Sequence, residues 1–460
     1  SGASWGRRWV GVVRDRARGY LLEGFADDGE SSEGRLLETM LLGQRGRVER
    51  VIDEAFIRTG TVHLLSVSGV HVGVLAMFGW WVGRLMGLSR RGSAVAVVGM
   101  VWLYMVVAEP RPPILRAGVL ATMACVAAWA RRPGSTGNWL AAGAMAILAL
   151  RPTDLFDAGF ALSFATVLAV LYLTPRVHGV LAGASPTVEG LRSGSVSDVQ
   201  RAWWWARRGV LWATALSVAA WLVGSPLGAY YFGRWSPWGW LNSLVVGVPA
   251  MGVMLLGFGK MAAGLAMPES SGVGGPMLEW SAGVLERVVS LLAKAPGCHV
   301  QGGNPSWPLV AGWLTVLVGW VVGWRWVSGR TLRLAAGVLL TASLVSGWWY
   351  PLTGGDGSLR VDVLAVGHGN AVVVRLPNGK TLLCDAGSRD GRNIGAGVIG
   401  PALAAMGVAR LDAVIVSHAD IDHFSGVLDV ADRVGIDLAV LPPTFEASAA
   451  DQTAAGHLLE

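Results

Sequence analysis

The run Gly239–Leu265, GWLNSLVVGVPAMGVMLLGFGKMAAGL, decides the class of fold. It stays apolar beyond the roughly 20 residues that cross a hydrocarbon core of about 30 Å. Comparable runs recur at 62–86, 93–108, 114–130, 155–173, 209–230, 307–326 and 332–349. A shorter one at 138–150 is either re-entrant or joined to its neighbour. The pattern predicts a polytopic α-helical membrane protein with about nine spans. Of 460 residues, 53% are hydrophobic and only 15% charged, whereas soluble domains carry about 25% charge. An ordinary cytosolic enzyme and an intrinsically disordered chain are both excluded. The 64 glycines suit close approach of membrane helices.

Upstream of the spans, residues 1–34 are polar, with an acidic cluster from Asp27 to Glu33. Val10–Phe25 reads as the last strands of a small soluble module, of which 1–34 would be the remnant. The first residue is Ser1 and no signal peptide precedes the first domain, so the chain is expected to begin inside a longer protein. Residues 35–60 place Leu36, Leu37, Met40 and Leu41 on one stripe and Val48, Ile52, Ala55 and Phe56 on another. They predict one or two amphipathic helices at the membrane interface. Residues 277–293, with Glu279, Glu286 and Arg287 on one side, predict a third. The stretch 174–208 reads as a long polar loop ending in Trp203, Trp204, Trp205, Arg207 and Arg208, a pattern of interface anchoring.

The net charge of +6 is unevenly divided. Residues 351–460 hold 7 basic and 13 acidic side chains, a balance of −6, and the first 350 hold 30 and 18, a balance of +12. A basic membrane body can hold anionic lipid or an anionic substrate. Loop arginines that fix topology are the simpler reading. Cys125, Cys298 and Cys384 are scattered and support neither a disulfide framework nor a thiolate zinc site.

Composition changes at Gly354–Gly357. Two alternating apolar runs flank Asn378-Gly379, a strong hairpin signal. A helix, VIGPALAAMGV, and a buried strand, LDAVIVS, follow, which predicts a soluble α/β domain over 355–460. Directly after that strand stands Ser417-His418-Ala419-Asp420-Ile421-Asp422-His423. Imidazole and carboxylate are good ligands for zinc, and carboxylate also accepts manganese. Two ligands on one turn and two on the next suit two adjacent metals, which would lower the pKa of a bridging water and clamp a phosphodiester. A second cluster, His63, Ser66, Ser68 and His71, rides on Thr59–Gly73, TGTVHLLSVSGVHVG, where the chain passes into the membrane. Ionisable residues inside a span are costly and usually functional. The alternative is hydrogen bonding between helices, with Gly69 and Gly73 as packing points.

The 418–423 segment resembles the HxHxDH signature of the metallo-β-lactamase superfamily, in the form HxDxDH. LLCDAG resembles that family's strand ending in Asp-x-Gly. The resemblance implies that His418 and Asp420 bind one metal, that Asp422 and His423 bind the other, and that Asp385 supports them. Asp422 and Asp385 become the expected catalytic carboxylates, and two divalent ions, zinc or manganese, the expected cofactors. The 59–73 segment resembles the HLLAISGxHV signature of the ComEC competence family. EPRPPILRAGVLATM (109–123) and LRPTDLFDAGFALSFATVLAV (150–170) resemble two more of its elements, and the domain order matches. That resemblance covers about residues 35–440 and assigns 35–350 to a competence membrane domain.

It implies an inner-membrane, multi-pass channel for uptake of single-stranded DNA during natural transformation, with a nuclease-like domain attached. His63, Ser66, Ser68 and His71 become candidate translocation residues. Single-stranded DNA and membrane lipid are the expected partners, joined by DNA-receptor and DNA-motor proteins and by further copies of the chain. Departures from the pattern occur at 364–371, LAVGHGNA, where the family has LDVGQGDA. Ala365 and Asn370 replace acids and His368 replaces Gln; His368 is either an added ligand or a strand-end polar residue. Only the N-terminal half of the metal domain is expected here, with an incomplete site. Positive-inside bias of Arg325–Arg333 predicts a periplasmic C-terminal domain. The competing readings are a channel with a degenerate, structural metal domain, a membrane-anchored hydrolase of another substrate, and a small-solute transporter, for which no inverted repeat is found.

Overall fold

The computed structural model describes residues 2–25, 31–44, 48, 50–108, 112–130, 136–183, 197–270, 272–301, 305–323, 357–389, 394–408, 410–443 and 445. The chain divides into two units, Ser1–Ser225 with Ser236–Val300 and Pro226–Trp235 with Gln301–Glu460. The first unit is helical. It contains α1 (Gly2–Leu22), α2 (Ser32–Leu37, running into a π turn at Glu38–Leu42), α3 (Arg50–Arg58), α4 (Val62–Leu65), α5 (Gly69–Leu85) and α6 (Arg90–Val107). It continues with α7 (Pro112–Ala130), α8 (Thr136–Leu150), α9 (Ala158–Ala182), α10 (Asp198–Phe232, which runs on into the second unit), α11 (Gly239–Ala266) and α12 (Gly275–Ala293). The second unit adds α13 (Trp307–Val322) and the soluble domain.

Four described helices, α6, α9, α10 and α11, are long and apolar enough to cross a membrane. Shorter apolar helices occupy Pro112–Val126, Thr136–Leu150 and Trp307–Val322. The run at 332–349 and the arginine loop before it lie outside the described residues.

Several local expectations are corrected. Val10–Leu22 is helical in α1 rather than stranded, and a turn at 23–24 follows it; this end is drawn into the core, where Leu21, Leu22 and Phe25 are buried. Arg14 Nε donates to Val107 O at 2.8 Å and Arg18 pairs with the buried Glu38. These long-range contacts outweigh the local preference of Val10, Val12 and Val13 for strand. The expected loop at 174–208 shrinks, because α9 runs to Ala182 and α10 begins at Asp198. Pro175 stands just after a π turn at Ala169–Leu173, in the first turn of the helical segment that continues from Thr174. Trp203–Arg208 are therefore helical.

The apolar stripes of 35–60 face protein. Leu36, Leu37, Met40, Leu41 and Phe56 are fully buried in one cluster with Val246, Ala250, Val253 and Met254 of α11 and Leu278, Ala282, Leu285 and Val289 of α12. Gly257 sits where any Cβ would stand 2.3 Å from Leu41 Cδ1, so glycine is what lets α11 approach that layer.

The soluble domain is built on a five-stranded sheet, β1 (Arg360–Val363), β2 (Val372–Arg375), β3 (Thr381–Cys384), β4 (Ala413–Ile415) and β5 (Ala439–Val440), in that order. β1, β2 and β3 are antiparallel, and the Asn378-Gly379 turn joins β2 to β3 with Gly379 at φ 84°. β4 and β5 add in parallel, pairing Leu383 with Val414 and Ile415 with Val440. Val373, Leu383, Val414, Leu403 and Val430 fill the core. Cys125, Cys298 and Cys384 are free thiols.

Candidate functional site

The segment 59–73 does not form one span. α4 ends at Ser66, whose φ and ψ of −92° and 140° are extended, and α5 starts after Ser68 at −137° and −179°. The break comes from local chemistry. Ser68 is a good N-cap residue, and its N–H donates to Nδ1 of His71, 3.3 Å away, while its hydroxyl stands 3.2 Å from the same nitrogen. His71 thereby closes the first turn of α5. Its Nε2 is buried with no hydrogen-bond partner. Ser66 is half-buried at the break, and His63 is exposed on α4. The structure thus joins Ser68 to His71 directly, with Ser66 at the break before them and His63 on the preceding helix.

In the soluble domain, Asp385 follows β3 with φ 56°, the one described non-glycine residue in the left-handed region. Its N–H donates to Ile415 O at 2.8 Å. Both carboxylate oxygens accept hydrogen bonds. Oδ1 takes the Ser417 N–H at 2.7 Å, and Oδ2 takes the Ser417 hydroxyl at 2.9 Å, His423 Nδ1 at 2.8 Å and the Asn370 amide at 3.0 Å. Burial alone would raise the Asp385 carboxyl. The donors from Ser417, His423 and Asn370 outweigh it and hold the group below the usual carboxylate range. Asp385 is fully engaged as the orienter of His423, which turns Nε2 to a position 4.0 Å from Asp422 Oδ2.

The 418–423 segment supplies two pairs. His418 Nε2 stands 3.2 Å from Asp420 Oδ2, and the His418 and His423 rings lie 3.8 Å apart. Asp422 faces Arg389, whose Nη2 is 3.3 Å from its Oδ1. Burial would raise the Asp422 carboxyl, but its own backbone N–H, Arg389 and His423 hold it low. An open cleft of about 620 Å³ is lined by His368, Gly369, Asn370, Arg389, Asp422 and His423. Gly387 permits this packing, since a Cβ there would stand 2.3 Å from the Asp422 carbonyl carbon. The sequence signalled His418, Asp420, Asp422, His423 and Asp385. Ser417 was legible only as a neighbour and Asn370 only as a departure from pattern. Arg389, in a glycine-rich stretch without a motif, gave no signal.

The donor types suit a divalent ion, and a carboxylate behind a histidine is a common second layer of a metal site. The donor number does not suit one. Among the described residues no three His, Cys, Asp or Glu side chains converge as ligands, whereas catalytic zinc takes three from protein. Asp422 Oδ1 is buried without a hydrogen bond of good geometry and is ion-paired with Arg389. No step through a metal is derived from this arrangement.

A family model described as competence protein matches residues 40–327, and one for the metallo-beta-lactamase superfamily matches residues 364–452. ComE operon protein 3 of Bacillus subtilis (strain 168) is 23% identical over 447 residues, which cover 91% of this chain and 52% of that protein. Competence protein ComA of Neisseria gonorrhoeae is 28% identical over 439 residues, covering 92% and 56% respectively. The chain therefore spans about half the length of the curated relatives it matches. No solved structure matches it.

Proposed function

Because this chain belongs to the competence protein family, we propose that its helical body is a channel for single-stranded DNA in a bacterial inner membrane. Residues 35–350 would form the channel with about nine spans, and 355–460 would carry a metallo-β-lactamase-like domain on the periplasmic side. The observation that carries the reading is the interrupted helix at Ser66–Ser68 within an apolar body. In a membrane, non-helical backbone is tolerated only where protein buries it or water lines it, and transporters place substrates at such breaks. His63, Ser66, Ser68 and His71 would line or shape the path. The arginine-rich body suits a polyanionic strand. Anchoring a hydrolase needs far fewer spans.

A second reading is favoured by a specific observation. Asp385 has no free oxygen and Arg389 stands against Asp422, which supports a soluble domain that is structural rather than nucleolytic. If a divalent ion is held, His418, Asp420, Asp422 and His423 are the side chains that would hold it, and it would supply Lewis acidity for phosphodiester hydrolysis. Asp385 would then fix the tautomer of His423.

The test is DNA uptake in a transformable host whose own channel gene is replaced by the full-length version of this one. We expect His71→Ala to stop uptake with the protein still in the membrane. The double change Asp422→Ala with His423→Ala should leave uptake intact, and metal content of the full-length protein separates the nuclease reading from the structural one. Failure of every version to restore uptake, with protein present in the membrane, would move the membrane-anchored hydrolase to the front.

A further inference from the structure

Three helices of the body begin at one end of it. Helices α5 to α9 follow one another in the chain, each in contact with the next. Gly69, at the start of α5, stands against α7, where a Cβ on it would meet the Ala117 Cβ at 3.8 Å. The residue beside Ala117 is Arg116, and it reaches the start of α9. Its Nη1 lies 3.3 Å from Asp157 Oδ1, and a Cβ on Gly159 would stand 2.7 Å from its Nη2. The described parts of the three signature segments, 59–73, 112–123 and 150–170, therefore meet at one end of these helices.

Hydrogen-bond donors are in excess at that end. Each helix N-terminus carries about half a positive charge, and the guanidinium adds a full one. Arg116 is only 3% exposed, and its Nε is buried with no hydrogen-bond partner. Asp157 is half-exposed and offers one oxygen to two tasks, capping α9 through the Phe160 N–H at 2.9 Å and pairing with Arg116. Asp154 contributes charge from farther away. A shared carboxylate oxygen cannot satisfy a five-donor guanidinium, and a helix N-terminus beside an arginine is a ready anion site. An anion with more oxygens than a carboxylate fits better than the resident one.

We propose that Arg116 and the N-terminus of α9 form a binding site for a phosphodiester of the translocating strand, with Asp157 as the resident carboxylate that the phosphate displaces. The proposal rests on the reading of the body as a single-strand channel.

The test uses the full-length protein in phosphatidylcholine nanodiscs, with a fluorescent oligothymidylate titrated at several salt concentrations. Arg116→Gln should weaken binding roughly tenfold and lower the salt slope by about 0.7, one single-strand phosphate. Arg116→Lys should keep part of both, and it decides the matter if Arg116→Gln does not reach the membrane. Asp157→Asn keeps a helix cap and should tighten binding. Uptake should follow the same order. Charge exchange, Arg116→Asp with Asp157→Arg, should restore neither; restoration of both would make the pair a structural tie and overturn the proposal. An Arg116→Gln effect seen only in discs containing phosphatidylglycerol would assign the site to lipid instead. Wild-type binding without restored uptake would sink the channel reading alone. Unchanged binding by Arg116→Gln, with uptake lost in His71→Ala, would sink this site alone.

Discussion

Asp385 occupies backbone that few side chains tolerate, and it accepts four hydrogen bonds there. The two demands separate its substitutions. Asparagine accepts the left-handed region and keeps one acceptor oxygen, so Asp385→Asn should cost about 1 kcal/mol. Alanine resists that conformation and leaves part-buried donors on Ser417, His423 and Asn370 without their charged acceptor, so Asp385→Ala should cost about 3 kcal/mol. Hydrogen exchange of the 413–417 amides in the full chain reads the difference. Equal, small effects of both changes would show that the network is not what holds β3 to β4. The motif was legible because its ligand types crowd the end of one strand. Arg389 was not, because its meeting with Asp422 depends on Gly387 letting two backbones touch, and no spacing rule encodes that.

Elements read well where an apolar window had only one way to be buried, and poorly where a distant residue decided. α11 was legible from its length alone, and the Asn378-Gly379 hairpin from its turn chemistry. α1 was misread because its anchor lies 240 positions away. Lys260 Nζ donates to the carbonyls of Tyr20, Leu21 and Glu23 at 2.8, 3.0 and 2.7 Å. An ammonium closing three carbonyls at a helix C-terminus satisfies groups that the helix itself leaves open. Gly264 lets Tyr20 lie against α11, since a Cβ there would stand 2.7 Å from its ring. Each charged hydrogen bond is worth about 1.5–3 kcal/mol, so Lys260→Met should free the end of α1. Trypsin should then cut at Arg14, Arg16 and Arg18 at least roughly tenfold faster, with the rest of the body as resistant as before. Unchanged cutting would show that Leu21, Leu22 and Phe25 hold α1 without the lysine.

At the scale of the molecule, the order of domains was legible because composition itself shifts, from a body of +12 to a terminal stretch of −6. Which side of the membrane each part faces is predicted from where the arginines lie. Arg325, Arg330 and Arg333 crowd the N-terminal edge of the run at 332–349. Moving positive charge outward across the membrane is opposed, so that edge is expected in the cytoplasm. A single crossing at 332–349 would bring the acidic domain out on the periplasmic face, as proposed above. That face suits it electrostatically, since an acidic domain is repelled by the anionic lipid of the cytoplasmic leaflet. The prediction is read with Ser358→Cys in the full-length protein after Cys125, Cys298 and Cys384 are replaced. A membrane-impermeant maleimide should label it in intact cells with a permeabilised outer envelope, as fully as after the inner membrane is opened. Labelling that appears only after the inner membrane is opened would put the domain in the cytoplasm. The strand would then meet it after crossing the body, and any role in trimming DNA before import would be ruled out.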